Sequence, residues 1–303
     1  MIVSFRAAII SSKNFHSSIG GAKSILFSKN KILHLKSEGE IFLRQIKIIA
    51  SDLDGTLLPF GVEEIPSEIF DLIRRLKSQG IRFFAASGRQ YRQLINLFAE
   101  VKNEIGFISE NGCLAILEGE VISQEFMNME LGREIIQAIL EKDSCEAIIS
   151  SEEGYFLQPK REEFFEDQVK NSRTRVFREN LLEHSKPYMR ISICQEPGFS
   201  EEDVAYWKNR FGSRCTVQTN GTPWMDLVPL GVNKASALKK IIERLGIDST
   251  EVVAFGDNEN DREMLEFVGN PVAMKNSKVE SLGKFVTENV AKSLRKILDG
   301  EFE

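Results

Sequence analysis

Two aspartates, Asp52 and Asp54, stand where the apolar run IKIIAS gives out in the stretch IKIIASDLDGTLLPF. Residues two apart in an extended chain share one face, and like charges so placed repel unless a proton or a cation lies beside them. A hard divalent cation suits such a pair, and magnesium favours one or two carboxylates completed by waters and phosphate oxygens. Gly55 and Thr56 would then turn the chain sharply. Asp-Gly is also a common turn, so the pair by itself does not separate a site from a strand end.

Other segments carry residues of matching chemistry. In VVAFGDNEND, Asp257 follows Gly256 at the end of an apolar run, with Asn260 and Asp261 close behind. A calcium loop of the EF-hand type is excluded, because counting from Asp257 the sixth position is Arg262 and the twelfth Val268, not Gly and Glu. Asp261 could simply cap the helix REMLEF, whereas Asp257 has no such structural reason to be acidic. In AASGR, Ser87 and Gly88 follow a second apolar run, and a hydroxyl with free N–H groups at a helix start makes a phosphate cradle. Serine as an ordinary helix cap explains them equally well. In GVNKASAL, Lys234 enters the first turn of a helix, where the dipole disfavours a cation. It is therefore either a surface lysine or one with an anionic partner.

Strand ends and helix starts must bring these groups to one rim. Apolar runs at 46–51, 81–87 and 105–109 alternate with helical periodicity at 67–80 and 91–101, a β-α-β-α-β rhythm. It predicts an α/β fold with a doubly wound, mainly parallel sheet, whose ligand crevice lies at the carboxyl ends of the strands. Near residue 125 strands come at closer spacing, which predicts an inserted α+β domain with an antiparallel sheet. The first rhythm resumes after 230. The expected division is a basic extension over 1–45, a core over 46–124 and 226–303, and an insert over 125–225.

Composition narrows the function classes. The net charge of −6 argues against nucleic acid, and no apolar run reaches the length of a membrane span. Cys113, Cys145, Cys194 and Cys215 form no CxxC pair and read as reduced, buried thiols. With three histidines in the chain, acid-base work falls to carboxylates or lysines. The first 45 residues hold seven basic and two acidic side chains, a net of +5 that leaves −11 for the remainder. Residues 1–37 contain no acid and eight serines. The composition fits a transit peptide, residues ahead of the true start, or a basic tail, in each case outside the fold. A cytoplasmic location is expected, or an organellar one if this segment is a transit peptide.

Taken with their order, these motifs resemble the haloacid dehalogenase superfamily, and within it the Cof-like magnesium-dependent phosphatases with a type IIB cap. DLDGTLL matches the first motif of the family, SGR the second, Lys234 in GVNKASAL the third and GDNEND the fourth. ISENGCLAI resembles its Asn-Gly-Ala stretch, with Cys113 in place of alanine, and PVAMKNS its Ala-Met-x-Asn segment. The resemblance covers residues 46–303 and makes the insert a cap domain. It implies an aspartyl-phosphate route with Asp52 as nucleophile and Asp54 as acid and then base. Mg²⁺ would be held by the Asp52 side chain, the Asp54 carbonyl and Asp257. Leu53, Ser87, Gly88, Lys234 and Asn260 would surround the phosphoryl group, with Thr56 supporting and Asp261 orienting Lys234 or capping its helix. The partner would be a small phosphorylated metabolite such as a sugar phosphate, with no nucleic acid and no membrane. One departure is that FVTENVAKSLRKIL lacks the acidic Asp-Gly stretch common near the family's C-terminus.

Two alternatives remain. A phosphomutase of the same superfamily would need a cap that reorients a bisphosphate intermediate, for which there is no signal. A non-catalytic phosphate-binding or receiver module would have no use for Asp54. Arg190, Tyr188 and Trp224 in the insert could reach the crevice or pack the insert, and packing is the favoured reading of each.

Overall fold

The computed structural model describes residues 46–302 except 60, 63 and 220–222, together with the backbone of a short ladder, Phe27–Ser28 against Lys31–Ile32. Apart from that ladder, the expectations for the basic leader lie outside the described residues. β1 (Ile48–Ser51), α1 (Ser67–Ser78), β2 (Arg82–Ala86), α2 (Tyr91–Leu97) and β3 (Gly106–Ser109) alternate as predicted, and β4 (Leu114–Leu117) and β5 (Glu120–Gln124) add a hairpin. The insert follows with α3 (Met129–Leu140), β6 (Cys145–Ser150), β7 (Tyr155–Leu157), α4 (Glu162–Asn171) and β8 (Val176–Arg178). It continues through β9 (Arg190–Gln195), α5 (Glu201–Phe211), β10 (Cys215–Thr219) and β11 (Trp224–Pro229). The chain then returns through α6 (Lys234–Leu245), β12 (Val252–Gly256), α7 (Arg262–Phe267), β13 (Asn270–Met274), β14 (Phe285–Thr287) and α8 (Val290–Asp299).

The first sheet has the order β14-β13-β12-β1-β2-β3-β4-β5. Its pairs from β14 to β3 are parallel, and β4 and β5 run antiparallel at one edge. Alternation along the strands splits the apolar residues between two faces. Ile49, Phe83, Phe107 and Phe255 pack under α1, α2 and α8, through Leu76, Leu94 and Leu294. Ile48, Ala50, Phe84 and Ala254 pack under α6 and α7, through Leu238, Ile241 and Met264. Both faces are covered, which is why these strands read as near-continuous apolar runs. Gly106 is required here, because a Cβ on it would stand 2.1 Å from the Phe84 ring.

The second sheet, order β8-β7-β6-β9-β11-β10, is antiparallel except for the β7–β8 pair. Ile149, Ile191, Ile193, Met225 and Leu227 face α3 and α5, against Ile135, Ile139 and Trp207. The fold is thus a doubly wound α/β core with an inserted α+β cap. Two details differ from expectation. The α2 helix stops at Leu97 rather than near 101, and Phe98 turns into the core against Phe70, Phe83 and Phe107. The β4–β5 hairpin was not foreseen, its turn being only Glu118 and Gly119. All four cysteines are free and buried. Among the described residues no helix is long and apolar enough to cross a membrane.

Candidate active site

Parallel pairing of β1 with β12 sets Asp52 and Asp257 side by side. Ser51 is in register with Phe255, and the Asp52 N–H donates to the Phe255 carbonyl at 2.9 Å. Lys234 begins α6 behind an Asn233 cap whose side chain accepts from the Ser236 N–H. Its stem is fully buried, so it is no surface lysine. Nζ donates to Asp52 Oδ1 at 2.5 Å and to Asp261 Oδ1 at 2.6 Å. The unfavourable dipole position is thereby offset by two carboxylates. Asp261 does not cap α7 with its side chain. Its Oδ2 instead accepts the N–H groups of Asp257 and Asn258 at 3.0 and 3.1 Å, holding the loop that carries Asp257. Thr56 Oγ1 donates to Asp257 Oδ1 at 2.7 Å, tying the DLDGT turn to the same acid.

Electrostatics single out an excess of negative charge. Burial pushes the Asp52 carboxyl well above its usual range, aided by the neighbouring Asp261 and Asp257, against the opposing pull of Lys234. Burial likewise raises Asp257, against the Thr56 hydrogen bond. Burial disfavours the charge on Lys234, but Asp261 and Asp52 outweigh it and hold the ammonium above its ordinary value. One ammonium faces three carboxylates, so a divalent cation fits the charge balance. Asp52, Asp257 and Asp261 offer oxygens within 4.8 Å of one another. Asp261 has both oxygens committed, to Lys234 and to two N–H groups, whereas Asp52 and Asp257 each keep one oxygen outside the hydrogen bonds described. Two hard carboxylates with oxygens to spare suit a hard divalent cation such as magnesium.

Asp54 is placed differently. Its side chain is half exposed, and Arg89 engages both oxygens, Nε to Oδ2 at 2.9 Å and Nη2 to Oδ1 at 2.5 Å. Partly solvated pairs of this kind contribute about 0–1 kcal/mol. Arg89→Met is therefore expected to shift the urea unfolding free energy by no more than about 1 kcal/mol, while freeing Asp54. Ser87 is buried and its Oγ accepts from the Arg89 N–H at 3.1 Å; the cap of α2 is Gln90, not Ser87.

Asp52, Asp54, Ser87, Gly88, Asp257 and Asn260 line a cavity of about 400 Å³. The second sheet contributes Ile148, Tyr155, Arg190, Ser192, Trp224 and Asp226 to the wall. The packing expectation needs correction for Arg190 and Trp224, which line the cavity, and holds for Tyr188, which is buried against Gly132 and His184. Arg190 and Ser192 of β9 and Trp224 and Asp226 of β11 line the cavity because the odd-numbered residues between them fill the core beneath α3 and α5. Cap and core also meet at the start of α2, where Gln90 Nε2 donates to the Ser151 carbonyl at 2.5 Å and Gln93 to that of Ser172. Sequence reasoning missed Arg89, Glu110, Asn111 and Asp226. Polar alternation in RISICQ and WMDLVP was the available signal for Asp226 and Arg190.

Comparison with known proteins gives the family. Residues 49–293 match the family model of haloacid dehalogenase-like hydrolases. The chain is 29% identical over 233 residues to the 5-amino-6-(5-phospho-D-ribitylamino)uracil phosphatase YbjI of Escherichia coli, covering 77% of this chain and 86% of that one. It is 23% identical over 236 residues to the HMP-PP phosphatase of Citrobacter koseri, with 76% and 85% covered. Among solved structures, the subclass IIB sugar phosphatase BT4131 superposes with a TM-score of 0.71 at 24% identity, over 82% of this chain and 98% of its own.

Proposed function

As a member of the haloacid dehalogenase-like hydrolases, to which this chain belongs, the protein is a phosphatase of the Cof-like kind, and we propose that it hydrolyses a small phosphorylated metabolite with Mg²⁺ through a phosphoryl group carried on Asp52. The observation that carries this reading is the buried Lys234 ammonium bridging Asp52 and Asp261 with Asp257 alongside, Asp52 and Asp257 lining the cavity. The two relatives are named as phosphatases of different small compounds, which supports the substrate class, and the polar cavity wall favours a sugar or polyol phosphate among them. In the proposed division the cap runs from 125 to 229 rather than 225, because β11 pairs in the second sheet through Pro229, and it lies over core segments 46–124 and 230–303.

In the proposed mechanism an Asp52 oxygen attacks phosphorus while the bond to the leaving oxygen breaks, and Asp54 gives that oxygen its proton. Asp54 then takes a proton from water, which attacks the acyl phosphate and regenerates Asp52. Arg89 must release Asp54 for this, at the small cost of a half-exposed pair. Lys234, Ser87, Asn260 and the N–H groups of Leu53 and Gly88 receive the phosphoryl oxygens, so that catalysis rests on position and charge. Lys234 also holds Asp52 in place, and Asp261 holds Lys234. Mg²⁺, bound by Asp52, Asp257 and the Asp54 carbonyl, would supply charge neutralisation at the phosphoryl group. The experiment is phosphate release from a panel of phosphorylated sugars, polyols and cofactors, with magnesium and with chelator. Turnover that stops with chelator and returns with magnesium is expected, and chelator-resistant turnover would overturn the metal dependence.

A further inference from the structure

The stretch ISENGCLAI is used by none of the steps above, yet it holds two consecutive left-handed non-glycine residues. Glu110 (φ 51°) and Asn111 (φ 54°) are both left-handed, and Gly112 (φ 102°) follows. Such conformations cost about 1–3 kcal/mol each and persist where surrounding structure determines them. Here the turn is held on several sides. Glu110 accepts from Arg190 Nε at 2.7 Å and from Ser150 Oγ at 2.6 Å, both in the cap. A Cβ on Gly112 would stand 2.1 Å from the Asn233 carbonyl, so glycine lets the turn seat on the start of α6, beside Lys234. Asn111 Nδ2 donates to Asp226 Oδ2 at 2.8 Å, and its Oδ1 accepts from Asn260 Nδ2 at 3.1 Å.

The polarity of this chain of amides is fixed at one end. Asp226 is fully buried in the cap, with Arg190 Nη1 on Oδ2 at 2.7 Å and Ser192 Oγ on Oδ1 at 2.6 Å. A carboxylate facing a guanidinium can only accept. Asn111 must therefore turn its NH₂ to Asp226 and its carbonyl to Asn260. Asn260 must in turn present its own NH₂, with one N–H bound to Asn111, which leaves the second for a ligand in the cavity that Asn260 lines. Were the Asn260 amide reversed, a carbonyl would meet phosphoryl oxygens, a repulsive contact in place of a charge-assisted bond.

We propose that Asn111 is a positioning residue that passes the orientation imposed by Asp226 of the cap to Asn260 of the core, so that Asn260 offers a donor to the phosphoryl group when the cap is seated. The inference rests on the phosphatase reading of the site. It makes Glu110, Asn111 and Gly112 the point at which cap position and phosphate binding meet.

The test is a mutant cycle on the full chain. Asn111→Gly keeps the left-handed backbone and removes the amide, Asn260→Ala removes the group acted on, and Asp226→Asn allows the polarity to reverse. Hydrolysis of p-nitrophenyl phosphate and binding of inorganic phosphate by calorimetry are read alongside thermal unfolding. One charge-assisted bond corresponds to about tenfold or more, so Asn111→Gly and Asn260→Ala should each weaken kcat/KM and phosphate binding by about that factor. The double variant should match Asn260→Ala alone, because both act on one contact. Losses that multiply, or an Asn111→Gly protein that binds phosphate as tightly as the parent, would overturn the proposal. If Asn111→Gly fails to fold, Asp226→Asn carries the same comparison with Asn260→Ala. A parent protein that binds phosphate with these variant effects but releases none from any ester would sustain the relay and sink the phosphatase reading. A parent that binds no phosphate would sink both.

Discussion

Asp52→Asn is expected to lower kcat by about 10⁴-fold or more, as loss of a nucleophile does, without lowering the melting temperature. The two halves of this outcome come from the same environment. Asparagine fits the space but supplies no anionic oxygen for attack on phosphorus. Meanwhile burial, Asp261 and Asp257 all oppose the charge on Asp52, and only Lys234 favours it. Removing one carboxylate from three leaves Lys234 still paired with Asp261 at 2.6 Å. A site residue that strains its surroundings is the usual signature of a stability–activity trade-off. The check is steady-state phosphate release together with a thermal melt. Full activity in the variant would remove Asp52 from the chemistry, and a large fall in melting temperature would show that its role is structural.

Lys234→Met should have the opposite balance on stability. Methionine matches the length of the lysine stem, so little packing is lost. Two carboxylates that Lys234 holds at 2.5 and 2.6 Å are left facing each other and Asp257, with Asp261 fully buried. Removing one partner of a buried ion pair costs about 3–5 kcal/mol, because the remaining charges stay desolvated. The loss is expected in urea unfolding with chelator present, and magnesium should restore part of it by neutralising Asp52 and Asp257. A variant as stable as the parent in chelator would mean that the cluster is not held ionised by Lys234. Turnover should also fall, since in the proposed mechanism the ammonium both orients Asp52 and receives a phosphoryl oxygen.

The acidic strand ends were legible because burial gives no reason for them. Asp257 after VVAFG and Asp52 after IKIIAS interrupt runs that otherwise satisfy a sheet covered on both faces. The misplaced charge of Lys234 at a helix start pointed the same way, and the structure gives it two anionic partners. What stayed hidden depends on pairings across long sequence separations. Nothing local to Glu110 announces Arg190, eighty residues on, nor does Asn111 announce Asp226. The Arg89–Asp54 pair was hidden for another reason: SGR reads as a turn, and the side chain that returns to the DLDGT loop is set by the parallel pairing of β1 with β2. Alternation in β9 and β11 did mark one face as polar. Whether that face meets solvent or a cavity is decided by the cap docking on the core, which no periodicity encodes.

The central claim is that phosphorus passes through a bond to Asp52. It is tested most directly by acid-quenching a reaction of Asp54→Asn protein with p-nitrophenyl phosphate and magnesium, then locating phosphate by peptide mass spectrometry. The nitrophenolate leaves without a proton donor, so phosphorylation should proceed, while hydrolysis slows for want of the base. Phosphate is expected on the peptide carrying Asp52 and to be absent when Asp52 is also changed to asparagine. Phosphate release with Asp52 unmodified throughout the time course, or a label on another residue, would contradict the account.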